Sequence, residues 1–205
     1  MPLLFEDDTQ LFNSGECRLR QFELPDAILT LWEHFFNRQD SDIFYNQLLQ
    51  NTPWVQEPIT IFDKTYLTPR LTCWYGKRHD DKQPILPFTD VLEQIKSRVE
   101  AQAGVKFTSV LLNLYRGGQD SVAWHRDNEP EFGANPVIAS VSFGETRPFD
   151  IRHKFNKQLQ KIRIPLNHGS FLLMAGPMQH YWEHAVPKTT KAIKPRINLT
   201  FRMLC

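Results

Sequence analysis

His125 and Asp127 stand two residues apart in the run Trp124-His125-Arg126-Asp127. On an extended strand that spacing sends both side chains to one face, which sets an imidazole beside a carboxylate, able to grip one metal ion. A distant second histidine would complete two histidines and one carboxylate on a single face of the metal. Such a set leaves coordination positions open for a co-substrate and dioxygen, the arrangement of non-haem Fe(II) oxygenases. His180 and His184 compete for the remaining place, because His180-Tyr181-Trp182-Glu183-His184 also matches H-x-x-E-H, the inverted zinc-peptidase pattern. Peptidase chemistry needs both histidines one helical turn apart. Here Pro177 and Pro187 box in an aromatic-rich segment, which predicts a turn and then a short strand.

The closing run Arg196 to Arg202 alternates strictly. Arg196, Asn198, Thr200 and Arg202 share one face, and Ile197, Leu199 and Phe201 share the other. A face with two arginines and an asparagine is costly to bury unless it lines a ligand site. Arginine grips carboxylates in bidentate fashion, so a dicarboxylate such as 2-oxoglutarate would suit this face. Asn113 and Tyr115 repeat the pattern on the strand that leads toward His125, with Leu112 and Leu114 on the opposite side.

These residues need elements to position them. Apolar side chains at Ile28, Leu31, Trp32, Phe35 and Phe36 recur at helical spacing and predict an amphipathic helix over 25–37, with Pro25 at its start. His34 on that helix reads as an ordinary histidine. A second helix is predicted over 90–103, capped at Asp90 and stopped at Gly104. Residues 57–75 read as a hairpin turning at Asp63-Lys64. From Lys106 onward short β-like runs at 107–115, 137–143, 148–153, 160–164, 169–174, 181–186 and 196–203 alternate with turn residues, which argues for a sandwich or barrel.

At 205 residues the chain suits one domain, and 41% hydrophobic with 23% charged residues is ordinary for a folded protein in water. The net charge of +1 supplies no global field toward nucleic acid or membrane. Basic residues nevertheless crowd from Arg147 to Arg163 and recur from Lys188 to Arg196, either as a solvated face or as a phosphate-tracking strip beside the metal residues. Three scattered cysteines, Cys17, Cys73 and Cys205, fit neither a disulfide framework nor a thiolate zinc site and point to a reducing compartment. No signal peptide or membrane span is visible, so the expected location is cytoplasmic, or nuclear in a eukaryote.

Taken in order, Asn113-x-Tyr115, His125-x-Asp127, His184 and Arg196-x-Asn198-x-Thr200-x-Arg202 closely resemble the AlkB family of Fe(II)/2-oxoglutarate dioxygenases. The resemblance runs over residues 57–205. Ala139 to Gly144, Arg152-His153-Lys154 and Leu166 to Ser170 look most like its DNA-repair branch. It implies a mainly β fold with packed helices around a double-stranded β-helix (jelly-roll) core. Within one domain, 1–105 would form an N-terminal extension with helices and a substrate-lid hairpin, and 106–205 the catalytic core. It implies Fe(II) on His125, Asp127 and His184, and 2-oxoglutarate anchored by Asn113, Tyr115, Arg196, Asn198 and Arg202, with O2 as the oxidant. The implied reaction is oxidative demethylation of N1-methyladenine and N3-methylcytosine in DNA, releasing succinate, CO2 and formaldehyde. The implied protein is a monomer that works on methylated DNA, with RNA as an alternative partner and no membrane.

A base must leave the stack to reach the iron. Phe62, beside the hairpin turn, resembles the apolar finger that fills the gap in duplex-acting members. Arg70, Trp74, Tyr75 and Asn128 are the expected substrate contacts, and Arg152, Lys154 and Lys188 to Lys191 the expected phosphate contacts. Two departures bear on the substrate. The aromatic-x-aromatic-Ser-Gly segment of the relatives is replaced by Lys77 to Pro84, leaving Trp74, Tyr75 or His79 to stack on the base, and Asn128 stands where an acidic residue usually follows. The same chemistry on RNA or a protein side chain, and a non-catalytic nucleic-acid-binding jelly roll, are the competing readings.

Overall fold

A computed structural model describes residues 17–61, 63–78 and 85–204. In chain order the elements are β1 (Arg18–Phe22), β2 (Ile28–Glu33), α1 (Arg38–Asn51), β3 (Pro58–Ile61), β4 (Lys64–Leu67), β5 (Leu71–Gly76), α2 (Asp90–Ala103), β6 (Ser109–Tyr115) and β7 (Val122–His125). They continue with β8 (Ile138–Gly144), β9 (Arg147–His153), β10 (Ile162–Leu166), β11 (Ser170–Ala175), α3 (Met178–Tyr181), β12 (Trp182–Val186) and β13 (Arg196–Arg202). A seven-stranded sheet runs β1-β2-β11-β8-β13-β6-β5, and a four-stranded sheet runs β10-β9-β12-β7. Every pairing is antiparallel. Two such sheets closing on one another make the jelly roll.

Alternation along the strands explains the layers. On β6, Val110, Leu112 and Leu114 face one way, and on β13, Ile197, Leu199 and Phe201 do the same. This face packs against Phe44 and Leu48 of α1 and Leu92, Ile95 and Val99 of α2. The second core lies between the sheets, where Leu29, Leu31, Ile138, Leu172 and Met174 meet Phe149, Ile151, Ile164 and Trp182. Each of these side chains contributes about 1.5–3 kcal/mol by leaving water. The polar residues of β6 and β13 are therefore turned into the space between the sheets.

Four features differ from the sequence reading. Residues 25–37 are not a helix: 28–33 form β2, paired with β1 on one side and β11 on the other. Leu29 and Leu31 face the inter-sheet core while Trp32 packs toward the helix layer, so both faces are covered and the run is apolar without clean alternation. The first helix comes later, at α1, where Asn37 caps by accepting a bond from the Asp40 amide at 2.8 Å. Its polar sequence hides it. Helix α2 keeps its bounds, but Thr89 is its cap, and Gly104 ends it in a left-handed turn at φ 71°.

The hairpin is shorter than 57–75. Strands β3 and β4 pair from Pro58↔Leu67 to Ile61↔Lys64, and Asp63 takes φ 59°. Strand β5 leaves it to pair with β6 in the main sheet. Strands β1, β2 and β5 of the first 105 residues are thus part of the main sheet. Phe62 and His79 lie outside the described residues. Among the described residues no helix is long and apolar enough to cross a membrane.

Candidate active site

Strand β13 sits between β6 and β8, and all seven of its residues are buried. The register sets Arg196 opposite Tyr115 and Asn198 opposite both Asn113 and Ser142. A polar ladder follows. Asn198 Nδ2 donates to Ser140 Oγ at 2.8 Å and Val141 O at 3.0 Å, and Thr200 Oγ1 donates to Asn198 Oδ1 at 3.1 Å. Arg196 Nη2 donates to Ser142 Oγ at 2.8 Å, and its guanidinium lies 5.2 Å from the Tyr115 ring centre. Ser140 and Ser142 escaped the sequence reading, although their spacing of two on an otherwise apolar strand is the signal that marks Asn113 and Tyr115.

The smaller sheet brings up the metal residues. β12 pairs with β7 so that His184 lies opposite His125, their ring centres 4.2 Å apart. Asp127, just past β7, puts Oδ2 3.7 Å from His184 Nε2. Ligand atoms of His125, Asp127 and His184 all fall within 4.8 Å of one another. His125 Nδ1 faces the carbonyl of Ala123 at 2.9 Å, so Nδ1 carries the proton and Nε2 keeps its lone pair for a metal. Two imidazoles and one carboxylate fit an Fe(II) ion.

Charge is tuned for the same purpose. Burial depresses His184 to about 3, with His125 acting the same way and Asp127 opposing, so its ring is neutral near pH 7. Burial alone would raise the Asp127 carboxyl, but Arg202, then His184 and His125, bring it down to about 2. The closest contact is Arg202 Nη2 to Asp127 Oδ1 at 2.7 Å. Gln179, fully buried and not foreseen, holds the Asp127 amide through Oε1 at 3.0 Å. Burial also lowers Arg196, to about 10, which leaves it charged near neutral pH.

Two arginines buried this deeply would normally be saturated. Instead Nε and Nη1 of both Arg196 and Arg202 have no hydrogen-bond partner among the described residues. These unused N–H groups, beside Asn113, Tyr115 and Asn198, line one small inner cavity with His125, Asp127 and His184. Such a donor set fits a small dicarboxylate like 2-oxoglutarate. A second, open cleft of about 740 Å³ shares His125, Asp127, Arg70 and Arg202 with the cavity. The metal residues stand where the two spaces meet.

The expected substrate contacts divide. Arg70 lies on the shared wall and donates from Nε to Asn113 Oδ1 at 2.7 Å. Trp74 lines the cleft, with its indole N–H on the Lys77 carbonyl at 2.7 Å. Tyr75 does not join them. Alternation on β5 turns it into the helix-side core, 4% exposed, and burial raises its hydroxyl to about 12. Asn128 is exposed and is not part of the cleft lining. Arg152 lies on the outer face of the smaller sheet, paired with Glu183 at 2.8 Å, and Lys154 Nζ rests 5.3 Å from the Phe155 ring centre, away from the cleft.

The rival zinc motif does not form. His180 is on α3 with Nε2 on the Ala134 carbonyl, whereas Glu183 and His184 are on β12, and Glu183 is held by Arg152. His34 is also remote, bonded to Asn167 at 3.1 Å.

Comparison with known proteins agrees with this geometry. The family description "2OG-Fe(II) oxygenase superfamily" matches residues 28–202. The human alpha-ketoglutarate-dependent dioxygenase alkB homolog 3 is 41% identical over 184 residues, covering 84% of this chain and 64% of that protein. The human DNA oxidative demethylase ALKBH2 is 33% identical over 184 residues, covering 82% of this chain and 70% of that protein. The chain thus spans a little under two thirds of the length of the alkB homolog 3 relatives it matches. The solved structure of OsALKBH1 superposes with a TM-score of 0.64 at 16% identity, over 91% of this chain and 100% of that one, which is a likeness of fold.

Proposed function

The chain belongs to the 2OG-Fe(II) oxygenase superfamily and, within it, to the AlkB family, and from this premise we propose that it is an oxidative demethylase of alkylated bases in DNA, acting on N1-methyladenine and N3-methylcytosine. The observation that supports this best is the meeting of two spaces at His125 and Asp127, with His184 on the inner side: a small inner cavity with unused arginine N–H groups, and an open cleft of about 740 Å³.

When bound, Fe(II) with 2-oxoglutarate and dioxygen supplies the oxidation of an N-methyl group, after which formaldehyde leaves and the base is restored. His125, Asp127 and His184 hold the metal. Arg196 and Arg202 anchor the co-substrate carboxylates through their free N–H groups, with Asn113, Tyr115 and Asn198 completing the donor set. Arg70 and Arg202 form the partition between co-substrate and substrate. Trp74 offers a ring to the base on the cleft side, where His125 also lines the wall.

The test is release of formaldehyde and succinate by protein supplied with Fe(II), 2-oxoglutarate and ascorbate. The substrates are methylated DNA and RNA oligomers, single- and double-stranded. Release from DNA that disappears in His125→Ala and Asp127→Ala is expected. Turnover confined to RNA, or none on either polymer, would overturn the DNA reading.

A further inference from the structure

The open cleft does not end at the edge of the smaller sheet. Its lining continues from His125 around the edge strand β7 to Trp124, Lys161, Ala185 and Lys188. Strand register explains the turn of the surface. His184 faces the interior and pairs with Ile151, so Glu183, Ala185, Arg152 and Asp150 point away from it.

Trp124 sits on that outer face. The Arg152 guanidinium carbon is 4.2 Å from its ring centre, and Lys161 Nζ is 5.5 Å away. The indole is only half-buried and belongs to neither hydrophobic core. Its partners on this face are the Arg152 and Lys161 side chains and not the hydrophobic cores. The surrounding charge is also unbalanced. Arg152 is matched by Glu183 at 2.8 Å, while Lys161 and Arg163 share the single carboxylate of Asp150 at 2.6 and 2.7 Å. Lys188, exposed on the same cleft wall, adds another cation. Four cations thus accompany two carboxylates around a half-buried aromatic ring.

Resting on the reading that the cleft receives a nucleic acid, we infer that this shelf binds the nucleotide next to the one presented to the metal residues. Its base stacks on Trp124, and its phosphate meets Lys161 and Lys188. Trp124 is the chain neighbour of His125, which places the shelf within one nucleotide of the metal site. Stacking on an aromatic ring is tolerant of sequence, because every base has a π-face, and cations along the groove follow the backbone. Bases inside a duplex are already stacked on their neighbours and do not offer that face. The shelf therefore favours single-stranded substrate.

The experiment is equilibrium binding of unmethylated oligothymidylate to the full chain loaded with Mn(II), read by fluorescence anisotropy, with tryptophan emission followed in parallel. Trp124→Ala is expected to weaken binding roughly tenfold and to remove part of the emission quench. Trp124→Phe is expected to restore most of the affinity. Lys188→Gln, a surface change that leaves the fold alone, is expected to reduce the salt-dependence slope by about one. Lys106→Gln, the same charge change outside the cleft, serves as reference. A wild-type chain that binds the strand, with Trp124→Ala affinity and the Lys188→Gln slope both unchanged, overturns the shelf. Formaldehyde release is scored separately: demethylation with unaltered Trp124→Ala binding sinks the shelf alone, and strand binding that does depend on Trp124, without demethylation, sinks the demethylase reading alone.

Discussion

Arg202 Nη2 donates to Asp127 Oδ1 at 2.7 Å, and this one bond ties the last strand of the seven-stranded sheet to the carboxylate of the metal set. Both side chains are more than nine-tenths buried. Arg202 therefore has two roles: it balances the Asp127 charge, and its remaining N–H groups, without a partner among the described residues, line the inner cavity.

Removing one partner of a buried pair leaves the other charge uncompensated, which typically costs about 3–5 kcal/mol. Arg202→Met is accordingly expected to lower the melting temperature of the metal-free protein sharply. A divalent cation on Asp127 supplies the missing positive charge, so saturating Mn(II) is expected to recover part of that loss. Thermal unfolding with and without Mn(II) checks this. An equal loss in both conditions would show that the pair does not serve the metal residue.

Arg196 makes a different prediction, because its fork faces the inner cavity and, among the described residues, pairs with no carboxylate. It donates to Ser142, and its Nε and Nη1 have no partner among the described residues. Arg196→Lys keeps the charge and loses the planar fork, and a charge-assisted bond is worth about 1.5–3 kcal/mol. Affinity for 2-oxoglutarate is expected to fall by roughly 10- to 100-fold, measured by calorimetry on Mn(II)-loaded protein. Mn(II) affinity itself should move far less, since Arg196 touches none of the metal residues.

The contrast between β13 and β2 shows what a single sequence makes legible. On β13 one face is apolar and the other carries Arg196, Asn198, Thr200 and Arg202, so alternation reveals both the strand and its site. β2 is covered on both faces, and Ile28-Leu29-Thr30-Leu31-Trp32 then reads as easily as helix. α1 has the opposite difficulty, with nine polar residues among its fourteen and only Ser41, Phe44 and Leu48 buried. His184 and His180 could not be separated by spacing alone, since both stand at workable distances from His125. The choice rests on whether 180–184 is one helical turn, and the answer depends on β12 pairing with β9 and β7. Gln179 acts through a contact 52 residues away in the chain, which no local pattern encodes, whereas alternation marks Ser142 as facing the site without naming Arg196, 54 residues on, as its partner.

Acid should loosen the loop that leads into β7. Burial by itself would raise the Asp120 carboxyl. Arg116 overrides it with Nε at 2.8 Å, Nη2 at 2.9 Å and its backbone N–H at 2.9 Å, and holds the carboxyl below the ordinary range. A carboxyl lowered in the folded state stabilises fully above its unfolded pKa, about 4, and loses that contribution as pH falls through the folded value. The stability gap between the natural chain and Asp120→Asn is therefore expected to be widest near neutral pH and to close as pH falls below about 4. Urea unfolding across that range measures it. A gap independent of pH would mean that the amide replaces the carboxylate without loss.

Arg147 makes the strongest stability prediction. Its guanidinium, 1% exposed, donates to the carbonyls of Gly117 at 3.1 Å, Asp120 at 3.0 Å and Pro187 at 2.7 Å. Gly117 and Asp120 belong to the loop entering β7, and Pro187 to the segment leaving β12. One side chain thus joins the flanks of the two strands that carry His125 and His184. The same flanks meet directly, since Thr189 donates its amide to Gly118 O at 2.8 Å, and a Cβ at Gly118 would lie 2.4 Å from Thr189 O. A lysine has no planar fork and cannot reach three carbonyls in fixed directions. Arg147→Lys and Arg147→Met are both expected to destabilise by at least about 3 kcal/mol, because each abandoned carbonyl loses a charge-assisted bond in a buried place. Gly118→Ala is expected to loosen the same junction through backbone overlap. The decisive measurement is Mn(II) affinity well below the melting temperature of each variant. Weaker metal binding in folded Arg147→Lys is expected if the junction sets the spacing of His125 and His184. Unchanged Mn(II) affinity with lowered stability would confine Arg147 to holding the two loops together.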